Sequence, residues 1–319
     1  MKIAILDDYA NAACGMADWD SLNAEITVFV DTITDPRALQ ERLAPFDILC
    51  LMRERTPLTT DLIAALPNLK LIVTSGPRNA AIDLAAAAAR GIPVSGTQSR
   101  KTTTSELAML LILALNRRLI PEVANMAING WQETIGRDLS GLTLGLIGLG
   151  NIGAQMATLG RAFGMDIIAW SQNLTADRAA QVGAERMDSL PALMARADVV
   201  SVHLVLSDRS KGLVGAEAFA AAKPGQVFIN TSRGPVVDTA ALLAGLRQSK
   251  PHAAGLDVYD EEPLPMDHPL RDQTLIDQGR LLLAPHLGYT TQAAFKLFYE
   301  QTVESIAAWA AGTPIRLLK

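Results

Sequence analysis

Short apolar runs alternate along the first half of the chain with segments whose apolar residues recur at helical spacing. Short apolar runs are typical of strands buried on both faces of a parallel sheet, and the longer spacing is typical of amphipathic helices. The predicted strands are residues 2–6, 26–30, 47–52 and 70–74, and the predicted helices are residues 35–43, 60–66 and 82–90. The alternation predicts an α/β domain with a doubly wound parallel sheet, from residue 1 to about residue 97.

The second half repeats this pattern. Its predicted strands are residues 142–147, 166–170, 198–203, 226–230, 254–258 and 281–284, and the clearest helices are residues 190–195 and 239–248. About six strands is the number found in a full dinucleotide-binding fold. We therefore predict a second doubly wound parallel-sheet domain, of the Rossmann type.

Two further helices are predicted outside these repeats. Residues 102–119 begin with capping residues and are apolar on nearly every face over 107–115, which predicts a helix buried between domains or between subunits. This helix leads out of the first domain. A long amphipathic helix is predicted over residues 290–312, at the end of the sequence.

A glycine motif, G-x-G-x-x-G, follows the first predicted strand of the second domain and precedes a helical pattern. We expect Gly148 to make the tight turn, Gly150 to let the backbone approach a pyrophosphate, and Gly153 to let the helix pack against the strand. The free N–H groups at the start of the helix would bind the phosphates. The strand before and the helix after favour dinucleotide binding over a tight turn that binds nothing.

Composition and charge exclude several classes of function. The chain has 319 residues, enough for two domains, and its net charge of −5 with scattered basic residues argues against nucleic-acid binding. Cys14 and Cys50 have no metal-type spacing, so we expect no metal site. No apolar stretch is long enough to span a membrane, and acidic residues come too early for a signal peptide. We therefore expect a soluble cytoplasmic protein.

The position that distinguishes NAD from NADP in such folds is polar and uncharged. Ser171 and Gln172 follow the predicted strand 166–170, where an acidic residue would bind the adenosine ribose of NAD. No carboxylate is present here to repel a 2′-phosphate, and Arg178 lies one or two helical turns further on. This pattern slightly favours NADP or the use of both cofactors, and NAD alone stays open.

Polar residues follow three late strands, at the same edge of the sheet as the glycine motif. Loops 230–234, 257–263 and 285–289 contain an arginine, a run of carboxylates and a histidine, respectively. Hydride transfer to a 2-oxo acid needs these groups: arginine binds and polarises the substrate, histidine donates a proton, and a neighbouring carboxylate orients the histidine ring. Each residue alone is more often structural, so the hypothesis depends on their shared position.

Two loops of the first domain also follow predicted strands. Loop 53–57 contains Arg53, and loop 75–79 contains Ser75, Gly76 and Pro77. A glycine loop with exposed N–H groups can bind a carboxylate, and arginine can pair with it. The alternative is that these arginines are ordinary surface charges.

Four stretches together resemble the D-isomer-specific 2-hydroxyacid dehydrogenase family, over essentially the whole chain. They are residues 144–153 (LGLIGLGNIG), 230–234 (NTSRG), 255–258 with 262–263 (GLDV and EP), and 285–288 (PHLG). The resemblance implies an NAD(P)-dependent oxidoreductase that interconverts a small 2-oxo acid and a D-2-hydroxy acid. It also implies a flavodoxin-like substrate domain formed by residues 1–100 and 290–319, with the Rossmann domain, residues 101–289, inserted into it.

The resemblance assigns roles to individual residues. Arg233, Glu262 and His286 match the catalytic residues, with His286 as the acid/base. The implied cofactor-binding residues are Gly148, Gly150, Asn151, Ile152, Gly153, Ser171, Gln172, His203, Thr231, Ser232, Asp257 and Gly288. The implied substrate-binding residues are Arg53, Ser75, Gly76 and Pro77, with Arg233 and His286. The family also implies a homodimer and a cleft between domains that closes over the substrate.

The resemblance leaves other functions open. Corepressors of the same family keep the three catalytic residues and sense nicotinamide cofactors, and other members oxidise unusual donors such as formate or phosphite. Val205 stands where the family often has proline, so the cofactor loop around it is expected to differ slightly.

Overall fold

The computed structural model describes residues 1–318, which form two α/β units. The first unit comprises Met1–Arg100 and the chain from Thr290 onward, and the second comprises Lys101–Tyr289. Both sheets are entirely parallel. The predicted fold class, two α/β domains with parallel sheets, is therefore confirmed.

Five strands form the sheet of the first unit. They are β1 (Lys2–Ile5), β2 (Glu25–Val28), β3 (Ile48–Leu51), β4 (Leu71–Thr74) and β5 (Val94–Gly96). Their order is β2-β1-β3-β4-β5, which is the flavodoxin-like doubly wound order. The sequence prediction missed β5, because only three residues follow Pro93 before the chain leaves the sheet.

The end of the chain completes this first sheet. Leu318 donates its backbone N–H to the Val94 carbonyl at 2.8 Å, and Gly96 donates to the Arg316 carbonyl at 2.9 Å. An antiparallel bridge joins Ser95 to Leu317. The last residues thus cover the edge of β5, and they belong to the same unit as the first residues.

Seven strands form the sheet of the second unit. They are β6 (Thr143–Ile147), β7 (Asp166–Trp170), β8 (Glu185–Arg186), β9 (Val199–Val202), β10 (Val227–Asn230), β11 (Ala253–Leu256) and β12 (Leu281–Leu283). Their order, β12-β11-β10-β9-β6-β7-β8, extends the Rossmann order by one strand at the β12 edge. The prediction of about six strands missed β8, whose two exposed charged residues carry no apolar pattern.

Helices pack against both faces of each sheet. In the first unit they are α1 (Ala13–Met16), α2 (Pro36–Leu43), α3 (Thr60–Ala65), α4 (Leu84–Ala89) and α13 (Gln292–Ala310). In the second unit they are α5 (Thr103–Asn116), α6 (Leu119–Ala127), α7 (Asn151–Ala162), α8 (Ala176–Gln181), α9 (Leu190–Arg196), α10 (Ala216–Ala220), α11 (Thr239–Arg247) and α12 (Gln273–Asp277). Within residues 1–318, no helix combines the length and the apolar character that crossing a bilayer requires.

The predicted helix 102–119 is shorter in the structure than expected. It ends at Asn116, because Arg118 adopts a left-handed conformation (φ +56°) and α6 starts a new direction. The Arg118 guanidinium bonds to the Gln278 and Gly279 carbonyls, which stabilises this turn. Within this single chain Leu110 is 55% exposed, and burial of the helix between domains or subunits stays a prediction.

Candidate functional site

The glycine motif forms the turn between β6 and α7, and each glycine has a different environment. Gly148 has φ +99°, and a Cβ there would lie 2.7 Å from the His203 carbonyl oxygen. A Cβ on Gly153 would lie 2.2 Å from the Gly148 carbonyl oxygen, so only glycine lets α7 approach the turn this closely. A Cβ on Gly150 would meet nothing within 4 Å. This open space is what a pyrophosphate-binding backbone needs.

The start of α7 presents backbone donors beside this turn. The first intrahelical hydrogen bond runs from the Ala154 N–H to the Gly150 carbonyl at 2.9 Å, so the amides of Asn151, Ile152 and Gly153 have no partner within the helix. No side chain caps this end of α7. Unpaired amides at the positive end of a twelve-residue helix are suited to bind phosphate.

Two buried polar atoms lie at the carboxyl ends of the adjacent strands β9 and β10. His203 Nε2 and Thr231 Oγ1 have no hydrogen-bond partner within residues 1–318. Burial lowers the pKa of His203 to about 3, so its ring is neutral at physiological pH. Buried polar groups normally have partners, and these two would be satisfied by polar groups of a ligand at the glycine turn. Neighbouring Ser232 already donates its hydroxyl to the Leu204 carbonyl.

The end of β7 lies where a Rossmann fold binds the adenosine ribose. Ser171 is half-buried there, and Gln172 donates from Nε2 to the Arg209 carbonyl at 3.3 Å. The structure thus brings the backbone of the loop after β9 to the ribose position. Sequence reasoning missed Arg209, because 37 residues separate it from Gln172.

His286 and Glu262 form a close pair at the carboxyl edge of the same sheet. His286 Nδ1 lies 2.6 Å from Glu262 Oε2, and the two side chains are only 16% and 15% exposed. The Tyr259 N–H donates to the second oxygen, Glu262 Oε1, at 2.9 Å. The carboxylate is therefore fixed by the backbone, and it fixes the orientation of the imidazole through Nδ1.

Asp257 holds the loop that carries His286. Its buried carboxylate accepts hydrogen bonds from the N–H groups of Leu287 at 2.6 Å and Gly288 at 2.9 Å. His286 itself has φ +54°, a conformation that the surrounding contacts must maintain. The sequence prediction gave Asp257 a cofactor contact. That contact stays a prediction, and the structure shows that both Asp257 oxygens bind the loop that carries His286.

Arg233 follows β10, the strand beside β11. Its Nη1 donates to the Ser232 carbonyl at 2.8 Å. Buried Asn230 fixes this turn, because its Nδ2 donates to the Arg233 carbonyl at 3.0 Å and its Oδ1 accepts from the Ser232 N–H at 3.0 Å. Asn230 is a positioning residue that sequence reasoning placed in the motif without a role.

The loops after β3 and β4 meet in the first unit. Arg53, in a left-handed conformation (φ +55°), donates its N–H to Ser75 Oγ at 2.8 Å. A Cβ on Gly76 would lie 2.0 Å from Arg53 Nη1, so the guanidinium crosses directly over this glycine. Asn79 joins the two loops, donating to the Arg53 carbonyl at 2.6 Å. The structure therefore brings Arg53, Ser75 and Gly76 together, with Pro77 exposed beside them.

No group of three metal-ligating His, Cys, Asp or Glu side chains lies together in the described part of the chain. Cys14 is exposed and Cys50 is buried, and burial raises the pKa of the Cys50 thiol.

Comparison with known proteins identifies the family of this chain. The family model for the D-isomer specific 2-hydroxyacid dehydrogenase, NAD binding domain, matches residues 109–288. The chain is 35% identical over 265 residues to a D-3-phosphoglycerate dehydrogenase from Mycobacterium leprae, covering 82% of this chain and 49% of that protein. A glyoxylate reductase from Thermococcus litoralis is 32% identical over 299 residues, covering 90% of this chain and 88% of that protein.

Solved structures agree in fold. The crystal structure of a phosphoglycerate oxidoreductase from Vibrio cholerae o395 has a TM-score of 0.91 at 37% identity, covering 98% of this chain and 100% of that one. The chain spans about half the length of the curated D-3-phosphoglycerate dehydrogenases that it matches.

Proposed function

Because the chain belongs to the D-isomer-specific 2-hydroxyacid dehydrogenase family, we propose that it interconverts a small 2-oxo acid and a D-2-hydroxy acid with a nicotinamide cofactor. The observation that carries this proposal is the pairing of His286 Nδ1 with Glu262 Oε2 at 2.6 Å. This pair lies at the edge of the sheet that also presents the glycine turn. In this proposal residues 101–289 bind the cofactor, and residues 1–100 with 290–319 bind the substrate.

The bound nicotinamide would supply or accept the hydride. The residues of the chain would transfer the proton and stabilise the charge that develops on the substrate oxygen. In the reductive direction His286 Nε2 donates a proton to the carbonyl oxygen of the substrate as that oxygen gains electrons. Glu262 stabilises the protonated imidazole before transfer and keeps the ring oriented. In the oxidative direction the neutral imidazole accepts the hydroxyl proton.

Binding of the 2-oxo acid requires cationic and N–H groups. Arg233 would donate hydrogen bonds to the substrate carboxylate or to its carbonyl oxygen, and its positive charge would polarise the carbonyl. The Ser75 and Gly76 N–H groups already donate to the Leu51 carbonyl and to Thr97 Oγ1, and Pro77 has no N–H. In this proposal Arg53 would therefore bind the carboxylate beside this loop in the first unit. The close contact of the Arg53 guanidinium with Gly76 supports this assignment, since it places a cation directly at this loop.

The direct test of the proposal is oxidation of reduced cofactor, followed by absorbance, against glyoxylate, hydroxypyruvate, pyruvate and phenylpyruvate. We expect turnover of at least one of these 2-oxo acids. Reduction of NAD⁺ or NADP⁺ by formate or phosphite, without turnover of any 2-oxo acid, would instead indicate a dehydrogenase of an unusual donor. Cofactor binding without any turnover would favour a cofactor-sensing protein of the corepressor type.

For the cofactor, the NAD-binding family domain indicates NAD, and the uncharged end of β7 supports a tolerance for NADP. We expect Ser171→Asp to lower kcat/KM for NADPH by at least tenfold and to leave kcat/KM for NADH within about threefold, because the new carboxylate would repel the 2′-phosphate. Ser171→Asn is the matched control, because asparagine has nearly the volume of aspartate and carries no charge. An equal loss with both cofactors in Ser171→Asp would contradict this assignment of Ser171.

We further propose that the protein is a homodimer through α6 and the segment after it. This region exposes many large apolar side chains, namely Leu119, Ile120, Val123, Met126, Ile128, Trp131 and Ile135. An apolar surface of this kind on a monomer is typical of a protein interface.

Replacement of Val123, which is 59% exposed, by glutamate is expected to shift sedimentation from dimer to monomer, because a charge would be buried in the interface. Val30→Glu is the control, since Val30 is exposed to a similar degree in the first unit. Monomeric sedimentation of the unmodified protein at micromolar concentration would contradict the proposed interface.

A further inference from the structure

A buried aspartate follows the first strand of the first unit. Asp7 is 2% exposed and has a left-handed backbone, with φ +58°. Its Oδ1 accepts a hydrogen bond from Thr32 Oγ1 at 2.5 Å, and its Oδ2 accepts one from Thr56 Oγ1 at 2.7 Å. Burial raises the pKa of Asp7, while the two hydroxyl donors and Arg55 oppose that increase. Both oxygens act as acceptors, as in an ionised carboxylate.

Thr56 belongs to loop 53–57, which follows β3. The start of this loop is fixed from the β4 side, where Arg53 contacts Ser75 and Asn79. Its end is fixed from the same side, because the Leu58 N–H donates to the Ala81 carbonyl at 2.8 Å. Asp7 holds the middle of the loop from the opposite side, through the strand β1 that neighbours β3.

We propose that Asp7 is a positioning residue that fixes loop 53–57 through Thr56 in the conformation that binds the substrate carboxylate. The inference rests on the proposed function, because it needs a 2-oxo acid bound beside Arg53. Asp7 would act without touching the substrate. It would pre-organise the loop, so that substrate binding does not have to order the loop first.

The hydrogen bond and the charge of Asp7 predict opposite effects on substrate affinity. A buried negative charge near Arg55 repels an anionic substrate bound at this loop, so removal of the charge alone would lower KM. Loss of the hydrogen bond to Thr56 would release the loop and raise KM. Variants that remove the hydrogen bond and keep the charge therefore separate the two effects.

The test compares Thr56→Val with Thr32→Val. Each variant removes one hydroxyl that donates to Asp7. Valine has nearly the shape of threonine, and the charge of Asp7 is unchanged. Of the two threonines, only Thr56 lies in loop 53–57. We expect Thr56→Val to raise KM for the 2-oxo acid about tenfold with kcat within about twofold, since such a bond to a charged group is worth at least this factor. Thr32→Val is expected to leave KM within about twofold, and Thr56→Ser, which restores the hydroxyl, to recover the native KM.

A neighbouring buried aspartate provides a second control. Asp8 is 1% exposed, and its Oδ2 accepts from the Ala13 N–H at 2.8 Å, so it fixes α1 and not the loop. We expect Asp8→Asn to leave KM for the 2-oxo acid unchanged. An unchanged or lowered KM in Thr56→Val, or an equal rise in Thr32→Val, would overturn the role of Asp7.

The same variants are tested for binding of oxamate, an unreactive 2-oxo acid analogue, by calorimetry in the presence of NADH. The first informative outcome is that the wild-type protein turns over 2-oxo acids and Thr56→Val binds oxamate with native affinity. This outcome would contradict the positioning role of Asp7 and leave the proposed function intact. A wild-type protein that neither turns over these acids nor binds oxamate would overturn the proposed function, and the positioning role with it.

Discussion

Replacement of His286 by asparagine is expected to lower kcat by about 10²–10⁴-fold, the usual contribution of a general acid or base. Asparagine is the suitable substitution because His286 has φ +54°, a conformation that asparagine adopts more readily than alanine. Asparagine removes the ring nitrogen that transfers the proton, and it adds little backbone strain. The measurement is steady-state turnover of the best 2-oxo acid with NADH.

Cofactor affinity and melting temperature serve as controls for this variant. We expect both to stay close to their native values, because asparagine keeps a polar side chain beside Glu262 and the Tyr259 N–H still donates to Glu262 Oε1. A kcat within a few-fold of native would show that His286 is not the acid/base. A large loss of melting temperature would show that the His286–Glu262 pair is instead needed for folding.

Replacement of Gly153 by alanine is expected to destabilise the protein, and replacement of Gly150 by alanine is expected to leave stability unchanged. A Cβ at Gly153 would lie 2.2 Å from a backbone oxygen, which cannot move without shifting α7 away from β6. Such overpacking typically costs about 1–3 kcal/mol of unfolding free energy. A Cβ at Gly150 meets nothing within 4 Å, and Gly150 has φ −79°, which alanine accepts.

For Gly150→Ala we expect the affinity for NADH to change and the stability to stay native. The Gly150→Ala protein should fold normally and bind NADH at least tenfold more weakly, because its methyl group would occupy the space needed by the pyrophosphate. Chemical denaturation measures the free energy of unfolding of both variants, and titration of NADH fluorescence measures their affinity for NADH. Native NADH affinity in Gly150→Ala would place the pyrophosphate elsewhere.

Much of the fold could be predicted because its parallel strands are buried on both faces. Strands β3, β4 and β9 consist entirely of buried residues, so burial selects apolar residues at every position and leaves a continuous run in the sequence. The candidate site could be predicted for a related reason. Its loops follow these strands directly, and the carboxyl ends of parallel strands share one edge of the sheet.

The features that sequence reasoning missed depend on contacts between distant residues. The break at Arg118 is stabilised by carbonyls about 160 residues further along the chain. Asn79 and Asp7 look like ordinary polar residues until their partners at Arg53 and Thr56 are known. Polar residues carry no periodic pattern that would reveal such partners. The edge strand β8 was missed because an exposed pair of charged residues is also compatible with a loop.

The closure of the first sheet by the last residues has a consequence for the order of folding during synthesis. The second unit is one continuous stretch, Lys101–Tyr289, and all of it leaves the ribosome before α13 and the segment that pairs with β5. Domains usually fold as units as they emerge, with the N-terminal one first. Here residues 1–100 cannot complete their unit until α13 and the segment that pairs with β5 have been synthesised. The nucleotide-binding unit is thus expected to be the first to reach its native state on the nascent chain.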